Sequence, residues 1–534
     1  MKQTKMKWIG LSVAACLLTG SLAACSSPAK ESASGGASSS TVPKEAVTLK
    51  VEMFDRGNTP SGAGPVDNNY WTQWIQKEFG DKNNIKLQFI PVPRNQEVDK
   101  LNVLMTTGDA PDIVFTYDMN TIFNYVKSGG LTDLGKLVDE HGPNLKKFLG
   151  QETLAYGVFS SKQYTIPAKR TLQFAHASMI RKDWLDKLGL PVPKTKEEFY
   201  AAMKMFKEKD PGKTGGKVVP YGFAAMNGSN YVSSSQFLGS FIKKTSEEDF
   251  FAFKPSWSDI LMPGYKDGVQ FLNKMNQEGL ISPDFALDKD MKKFEADVAN
   301  GYVGAFTSIA AHQNLMLPGN VFDTMKKNVP GAEYISMDAF TNEEGKRPKQ
   351  IYEPTGLHMM IPKSSKHAVE AIKYLDWMSQ NDVLFKLSNG VEGQHYTMEN
   401  SFPKPITTDE AKKTFYNNAD IAIVVNGKDF SSKEKNIEVA ALTYSNYKEL
   451  AKQNIINALV DGYTLPRFDR PIDADIKYGK TLEAKAQETV VKSILAKPAD
   501  FNKIFDDGVA EYLKIGGQQV VDERKAAYKE MKKK

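Results

Sequence analysis

Both cysteines of this 534-residue chain, Cys16 and Cys25, fall within its first 25 residues. Whatever folds beyond them is held by packing and hydrogen bonds alone, with no disulfide inside it. That requires large hydrophobic cores, which a chain of this length can build, because big domains bury most of the surface their unfolded chains expose. The leader has an order of its own. Lys2, Lys5 and Lys7 precede an apolar stretch from Trp8 to Leu22, and the small residues Ala23 and Ala24 stand before Cys25. A basic region, an apolar region and a small-residue site in that order predict a secretory signal peptide over residues 1–24. Its apolar part is short for a membrane-spanning helix, and no second stretch reaches spanning length.

From Ser26 to Ala46 the chain is mostly Ser, Ala, Gly, Lys and Glu, with hardly an apolar residue larger than Ala before Val42. Such a segment buries too little to offset its ordering entropy, so residues 25–46 read as a flexible tether. The body from Val47 onward is long for one domain and short for many, which favours two lobes. A formal net charge of +5 is slight, and part of it lies in the leader. It gives no reason to expect a nucleic-acid partner, and Lys532, Lys533 and Lys534 read as a solvated tail.

The start of the body alternates cleanly. Val47, Leu49, Val51 and Met53 mark a half-buried strand, Trp71, Trp74, Ile75 and Phe79 one face of a helix ending at Gly80, and Ile85, Leu87 and Phe89 a second strand. Val98, Leu101, Leu104 and Met105 return to helical spacing before Gly108, and Asp112 to Phe115 forms a third strand. The β-α-β-α-β order predicts an α/β fold with a mostly parallel sheet. Ligands of such sheets sit beyond the carboxyl ends of the strands. Those ends carry Asp55, Arg56 and Asn58, then Thr116, Tyr117, Asp118 and Asn120. Asp55 and Asn58 can equally form turns, and Asp118 can cap a helix from Asn120 to Val126.

Further along, Thr195 and Glu198 have the spacing of a capping box, and Tyr200, Met203 and Phe206 continue an apolar helix face. Ser365 to Met378 reads as another amphipathic helix. Trp184 and Trp377 sit at helical spacing and are expected in the core.

Two resemblances extend this reading. Leu22-Ala23-Ala24-Cys25 resembles a bacterial lipobox, which implies a diacylglyceryl thioether on Cys25 and a mature chain anchored on the extracytoplasmic face of the cell membrane. The body resembles the family 1 extracellular solute-binding proteins, the sugar-binding subunits of ABC importers, and most nearly their large Gram-positive lipoprotein branch. Four segments carry the likeness: Thr106 to Ile113 (TTGDAPDI), Met179 to Phe199 (MIRKDWLDKLGLPVPKTKEEF), Gly301 to Phe306 (GYVGAF) and Leu387 to Tyr396 (LSNGVEGQHY). The resemblance implies an α/β, periplasmic-binding-protein-like type II fold with two discontinuous lobes, a hinge and an interlobe cleft. Its crossovers fall near Ala168, Ala339 and Gly390, so residues 47–168 and 340–390 form one lobe and residues 169–339 and 391–534 the other. It also implies an oligosaccharide ligand, ABC permease subunits as partners, a monomer and no cofactor.

A sugar is recognised by aromatic faces and by planar polar side chains. Carried over position by position, the family implies contacts from Asp55, Arg56, Thr116, Tyr117, Asp118, Asn120, Arg170, Asn230, Tyr231, Thr307, Ser308, His312, Glu353 and Glu392, with Trp257 and Tyr396 as stacking platforms. Arg56, Lys169 and Arg170 facing the cleft would suit an anionic sugar. Some large members resemble an EF-hand where this chain has Asp210 to Val219, but here Lys213 and Lys217 intrude among few oxygen ligands, so no calcium is expected. No segment singles out a catalytic pair. Lys213-Thr214-Gly215 lacks a suitable upstream S-x-x-K partner, and there is no H-E-x-x-H, G-x-S-x-G, phosphate loop or cysteine nucleophile. Binding without chemistry is expected, the alternative being a surface carbohydrate hydrolase or a cell-wall-binding lipoprotein.

Overall fold

The computed structural model describes residues 46–224, 237–309 and 315–533. The leader, Cys25 and the tether lie outside the described residues. Strand β1 (Val47–Asp55) buries Leu49, Val51 and Met53, as its alternation requires, and also Glu52 and Phe54 between and beyond them. It pairs in parallel with β2 (Ile85–Pro93), Val47 opposite Ile85 and Asp55 opposite Pro93. The helix between them runs Tyr70–Ile75 and continues through a wider turn to Gly80. The helix Glu97–Thr107 ends at Gly108 in the left-handed region, and β3 (Val114–Thr116) follows. A parallel bridge between Val51 and Ile113 joins β3 to β1.

The first sheet is completed from far along the chain. β4 (Ile166–Arg170), β9 (Thr355–Met360) and β10 (Val425–Asn426) join β3 in the order β10-β4-β9-β3. β9 is antiparallel to both β3 and β4, whereas β10 is parallel to β4. The second sheet has the order β8-β5-β7-β6, from β5 (His176–Arg181), β6 (Val219–Gly222), β7 (Val303–Ile309) and β8 (Tyr334–Met337). β7 is parallel to β6 and antiparallel to β5.

Each sheet has its own core. Leu49, Trp71, Phe115, Ile372 and Leu375 belong to the first, and Trp184, Phe199, Phe206, Leu272 and Leu482 to the second. Trp184 is fully buried, as expected, and Trp377 packs partly buried against the first core. The long C-terminal helices, Asp473–Leu495, Phe501–Tyr512 and Gln518–Met531, pack on the second half through Leu482, Val490, Phe505 and Val520.

The chain crosses between the halves three times. The first passage is residues 171–175 and the second residues 338–354. The third does not fall near Gly390. Beyond Gly390 the chain stays on the first half: Tyr416 and Ile421 to Val425 lie in its core, and β10 extends its sheet. It crosses only after Asn426, through the helix Lys433–Leu442, to the helix Lys448–Leu459, which packs on β5 and β8. The apolar run Ile421 to Val425 dictates this, since it is wholly buried against the first core.

Candidate functional site at the strand ends

β1, β3, β4 and β10 run in one direction, so their carboxyl ends meet along one edge of the first sheet. β9 runs the other way and brings its leading residues, Tyr352 and Glu353, to the same edge. Across the first crossover, His176 of β5 stands opposite Ile309 at the end of β7, so the second sheet presents its own strand ends where the chain leaves Arg170. Backbone direction alone thus gathers Arg56, Tyr117, Arg170, Tyr352 and Asn426 beside the crossovers, the place where open α/β sheets bind ligands.

Hydrogen bonds lock that edge. The Asn426 amide donates to the Tyr117 hydroxyl (3.1 Å), and its oxygen accepts from the Arg170 guanidinium (2.8 Å). Arg170 also donates to the Thr355 carbonyl (3.0 Å) and lies 4.6 Å from the centre of the Tyr352 ring. Arg94 sits over the faces of Phe54 and Tyr117, at 4.9 and 5.0 Å, and pairs with Glu97 at 2.7 Å. Glu97 accepts from the buried Thr116 hydroxyl (2.8 Å), and burial raises its carboxyl above the usual range. Arg56 makes a two-pronged pair with Asp420, at 2.5 and 2.8 Å. Lys169, on the opposite side of β4 from Arg170, pairs with Asp429 at 2.5 Å. Gly427, at φ +104°, turns the chain out of β10. A Cβ there would come within 2.2 Å of the Thr171 hydroxyl, so the turn requires glycine.

Two cavities open on this edge. One, of about 290 Å³, lies among the crossovers and is lined by Arg170, Phe174, Tyr352, Asn426, Lys428 and Tyr444, among others. The other, of about 190 Å³, brings Asn120 and Tyr156 of the first half against Trp257 and Arg467 of the second, with Glu353 between. There Arg467 stacks on Tyr156 at 4.3 Å and donates to the Ala155 carbonyl (2.7 Å). Glu353 accepts from the Leu465 amide (3.1 Å), and burial raises its carboxyl toward the neutral form. His358 is fully desolvated, lowered to about 3 and therefore neutral, and shares a 2.8 Å hydrogen bond with Thr165. Trp257 is held edge-on by its N–H to the Tyr512 hydroxyl (3.1 Å).

The expected contact residues divide accordingly. Arg56, Tyr117 and Arg170 stand on the strand edge, and Asn120, Trp257 and Glu353 line the second cavity. Asp55 closes a turn onto Gly57, and Asp118 caps the helix Met119–Lys127 through the Thr121 amide. Thr116 is wholly buried, with its hydroxyl committed to Glu97. Thr307 is buried inside the second sheet, bonded to Ser178 and Tyr221, and has no access to the edge. Only the backbone of Ser308 is described, paired with Ala177. Glu392 and Tyr396 bridge one another in a turn on the first half, with Tyr396 packed on Phe385, and neither lines these cavities. Asn230, Tyr231 and His312 lie outside the described residues.

The sequence reading missed Asn426, Tyr352, Lys428 and Arg467. Ala422 to Val425 followed by Asn426-Gly427 is an apolar run closed by a turn dipeptide, and that was the available signal for a fourth strand end. At Asp210 to Gly216 the chain turns, and the Asp210 carboxylate accepts from the Thr214 and Gly216 amides. Among the described residues no three acidic, His or Cys side chains gather as a metal site.

Two α/β halves joined by three crossovers, with converging strand ends between them, define a bilobal, periplasmic-binding-protein-like receptor of type II. The chain belongs to the family described as bacterial extracellular solute-binding protein, whose model matches residues 63–383. It is 27% identical over 409 residues to lipoprotein LipO of Bacillus subtilis, covering 74% of each chain. It is 24% identical to the polygalacturonan/rhamnogalacturonan-binding protein YtcQ of the same organism, over 85% of this chain and 88% of the relative. Among solved structures it resembles the S. pneumoniae ABC-transporter substrate-binding protein FusA in complex with kestose. That likeness has a TM-score of 0.63 at 17% identity, over 91% of this chain and 99% of the other.

Proposed function

We propose that this protein is a lipid-anchored, extracytoplasmic receptor that captures an oligosaccharide between its two halves and hands it to an ABC permease. The observation that carries this reading is the convergence of five strand termini, bearing Arg56, Tyr117, Arg170, Tyr352 and Asn426, on a cleft that the crossovers span. Planar amide and guanidinium groups beside aromatic rings are what hydroxyl edges and C–H faces of a sugar need. The names of similar proteins agree: YtcQ binds polygalacturonan and rhamnogalacturonan, and the FusA structure holds kestose. Arg56, Tyr117, Asn120, Arg170, Trp257 and Glu353 are the proposed contacts. The halves, residues 46–170 with 355–426 and residues 176–337 with 448–533, act as lobes that close because ligand touches both. Cys25 carries the lipid, the ligand leaves unaltered, and the receptor works as a monomer.

A melting-temperature screen against oligosaccharides tests this. A ligand that binds only the native state raises the midpoint with concentration. A rise with one sugar class, the sugar recovered intact, is expected. Cleavage of the sugar would replace the receptor with a hydrolase, and no rise with any sugar would remove carbohydrate from the reading.

A further inference from the structure

We propose that the cavity among the crossovers receives an acidic group of the bound sugar, a ring carboxylate of the hexuronic acid type, between Arg170 and Lys428. The inference rests on the carbohydrate reading above and narrows it to one substrate class.

Charge accounting along the strand edge leads there. Most cations at this edge have a carboxylate of their own: Arg56 has Asp420, Arg94 has Glu97 and Lys169 has Asp429. Arg170 and Lys428 do not. Arg170 donates to a neutral carbonyl and a neutral amide. Lys428 lies in no ion pair among the described residues, and desolvation of its amine lowers it to about 8. Both line the same cavity of about 290 Å³, and no Asp or Glu lines it with them.

Of the neighbouring acids, Asp429 is committed to Lys169, and Glu353 lines the adjoining cavity, where burial raises its carboxyl, it accepts from the Leu465 amide and it acts on Arg170 only through space, without an ion pair. The two internal segments outside the described residues, 225–236 and 310–314, contain no Asp or Glu.

Two cations drawn partly out of water with no carboxylate paired to them cost free energy that a purely structural site has no reason to bear. An incoming carboxylate recovers it, with the planar guanidinium of Arg170 gripping two oxygens and the Lys428 ammonium acting as a point charge. The remaining lining suits the sugar ring that carries the acid. Thr171, Thr443 and Tyr444 offer hydroxyls, and Phe174 and Tyr352 offer apolar faces.

Calorimetric titration of the full chain in detergent micelles decides the matter, with trigalacturonate, trimannuronate, the methyl ester of each and inorganic phosphate as probes. One of the acids is expected to bind at least tenfold more tightly than its ester, with an advantage that shrinks as salt rises. K428Q is expected to weaken the acid on the order of tenfold, the size of one charge-assisted hydrogen bond, and to leave the ester unchanged. The same substitution removes an uncompensated charge, so the ligand-free protein should melt higher, not lower. Equal affinity for acid and ester, or K428Q weakening both alike, overturns the inference. So does binding of phosphate with no binding of either acid. Neutral oligosaccharides binding where no uronate does would overturn this inference and leave the receptor standing, whereas failure of every oligosaccharide would remove the receptor reading itself.

Discussion

Glu52 is an acid in the middle of a buried strand. It is 1% exposed, accepts from the Phe115 amide at 2.8 Å, and leaves its second oxygen without a partner. Burial raises it from 4.5 to about 8, with Glu97 adding to the rise and Arg94 opposing it. The native state therefore holds a proton that the unfolded chain releases between those values, and stability falls as pH rises across that window. Lys428 acts in the opposite sense. Lowered from 10.5 to about 8, it lets the unfolded chain bind the extra proton above pH 8, so its contribution to stability recovers as pH rises beyond that point. Together the two groups predict a minimum in ligand-free melting temperature near pH 8. E52Q should flatten the limb below it and K428Q the limb above it. A melting curve that E52Q leaves unchanged between pH 5 and 8 would mean that Glu52 is ionised when native.

At the scale of elements, the helix Lys196–Lys209 shows how local sequence alone can set a boundary. The Thr195 hydroxyl accepts from the Glu198 amide at 3.1 Å, and Glu198 returns a bond to the Thr195 amide at 3.3 Å. T195A should cost about 1 kcal/mol, read as a lower urea midpoint with an unchanged slope. Its neighbour, the helix Lys182–Leu188, depends instead on distant partners. Trp184 is fully buried under the guanidinium of Arg181, which pairs with Asp183 and donates to the Gly301 carbonyl at 2.8 Å. W184A should cost about 3–5 kcal/mol by the same measurement, since so large a void collapses poorly. Between these extremes lies the turn at Gly427. G427A meets both the positive φ and the Thr171 hydroxyl, and should destabilise by roughly 1–3 kcal/mol while weakening ligand more than stability alone explains. Unaltered binding by a folded G427A protein would show that the third crossover does not shape the cleft.

At the scale of the molecule, the two halves touch through few groups on the Arg467 side. Arg467 reaches Ala155 and Tyr156, and Lys127 pairs with Asp473 at 2.7 Å with both side chains about 60% exposed. The exposed pair contributes little, so K127A should shift stability by less than about 1 kcal/mol. R467A removes both the stack on Tyr156 and a backbone contact. It should enlarge the ligand-free radius of gyration in small-angle scattering and restore the wild-type value when ligand saturates the cleft. An unchanged radius in both states would place the closing contact elsewhere.

What the chain determined by itself is local and periodic. The alternation at Val47 to Met53, the Gly108 stop, the Asp118 and Thr195 caps and the β-α-β order all appear where neighbouring residues require them. Strand direction put Arg56 and Tyr117 at strand ends from the sequence, and Arg170 came from the family resemblance, at the first crossover. Long-range pairing was not legible there. That β10 returns to β4, that Asn426 ties Tyr117 to Arg170, and that Thr307 faces inward are consequences of register across hundreds of residues. Charge shows the limit most clearly. Arg56, Lys169 and Arg170 look alike in sequence, and only the fold gives the first two a carboxylate and leaves the third, with Lys428, facing an acid-free cavity. An ion pair depends on distances of a few ångströms, and no spacing along the chain encodes those.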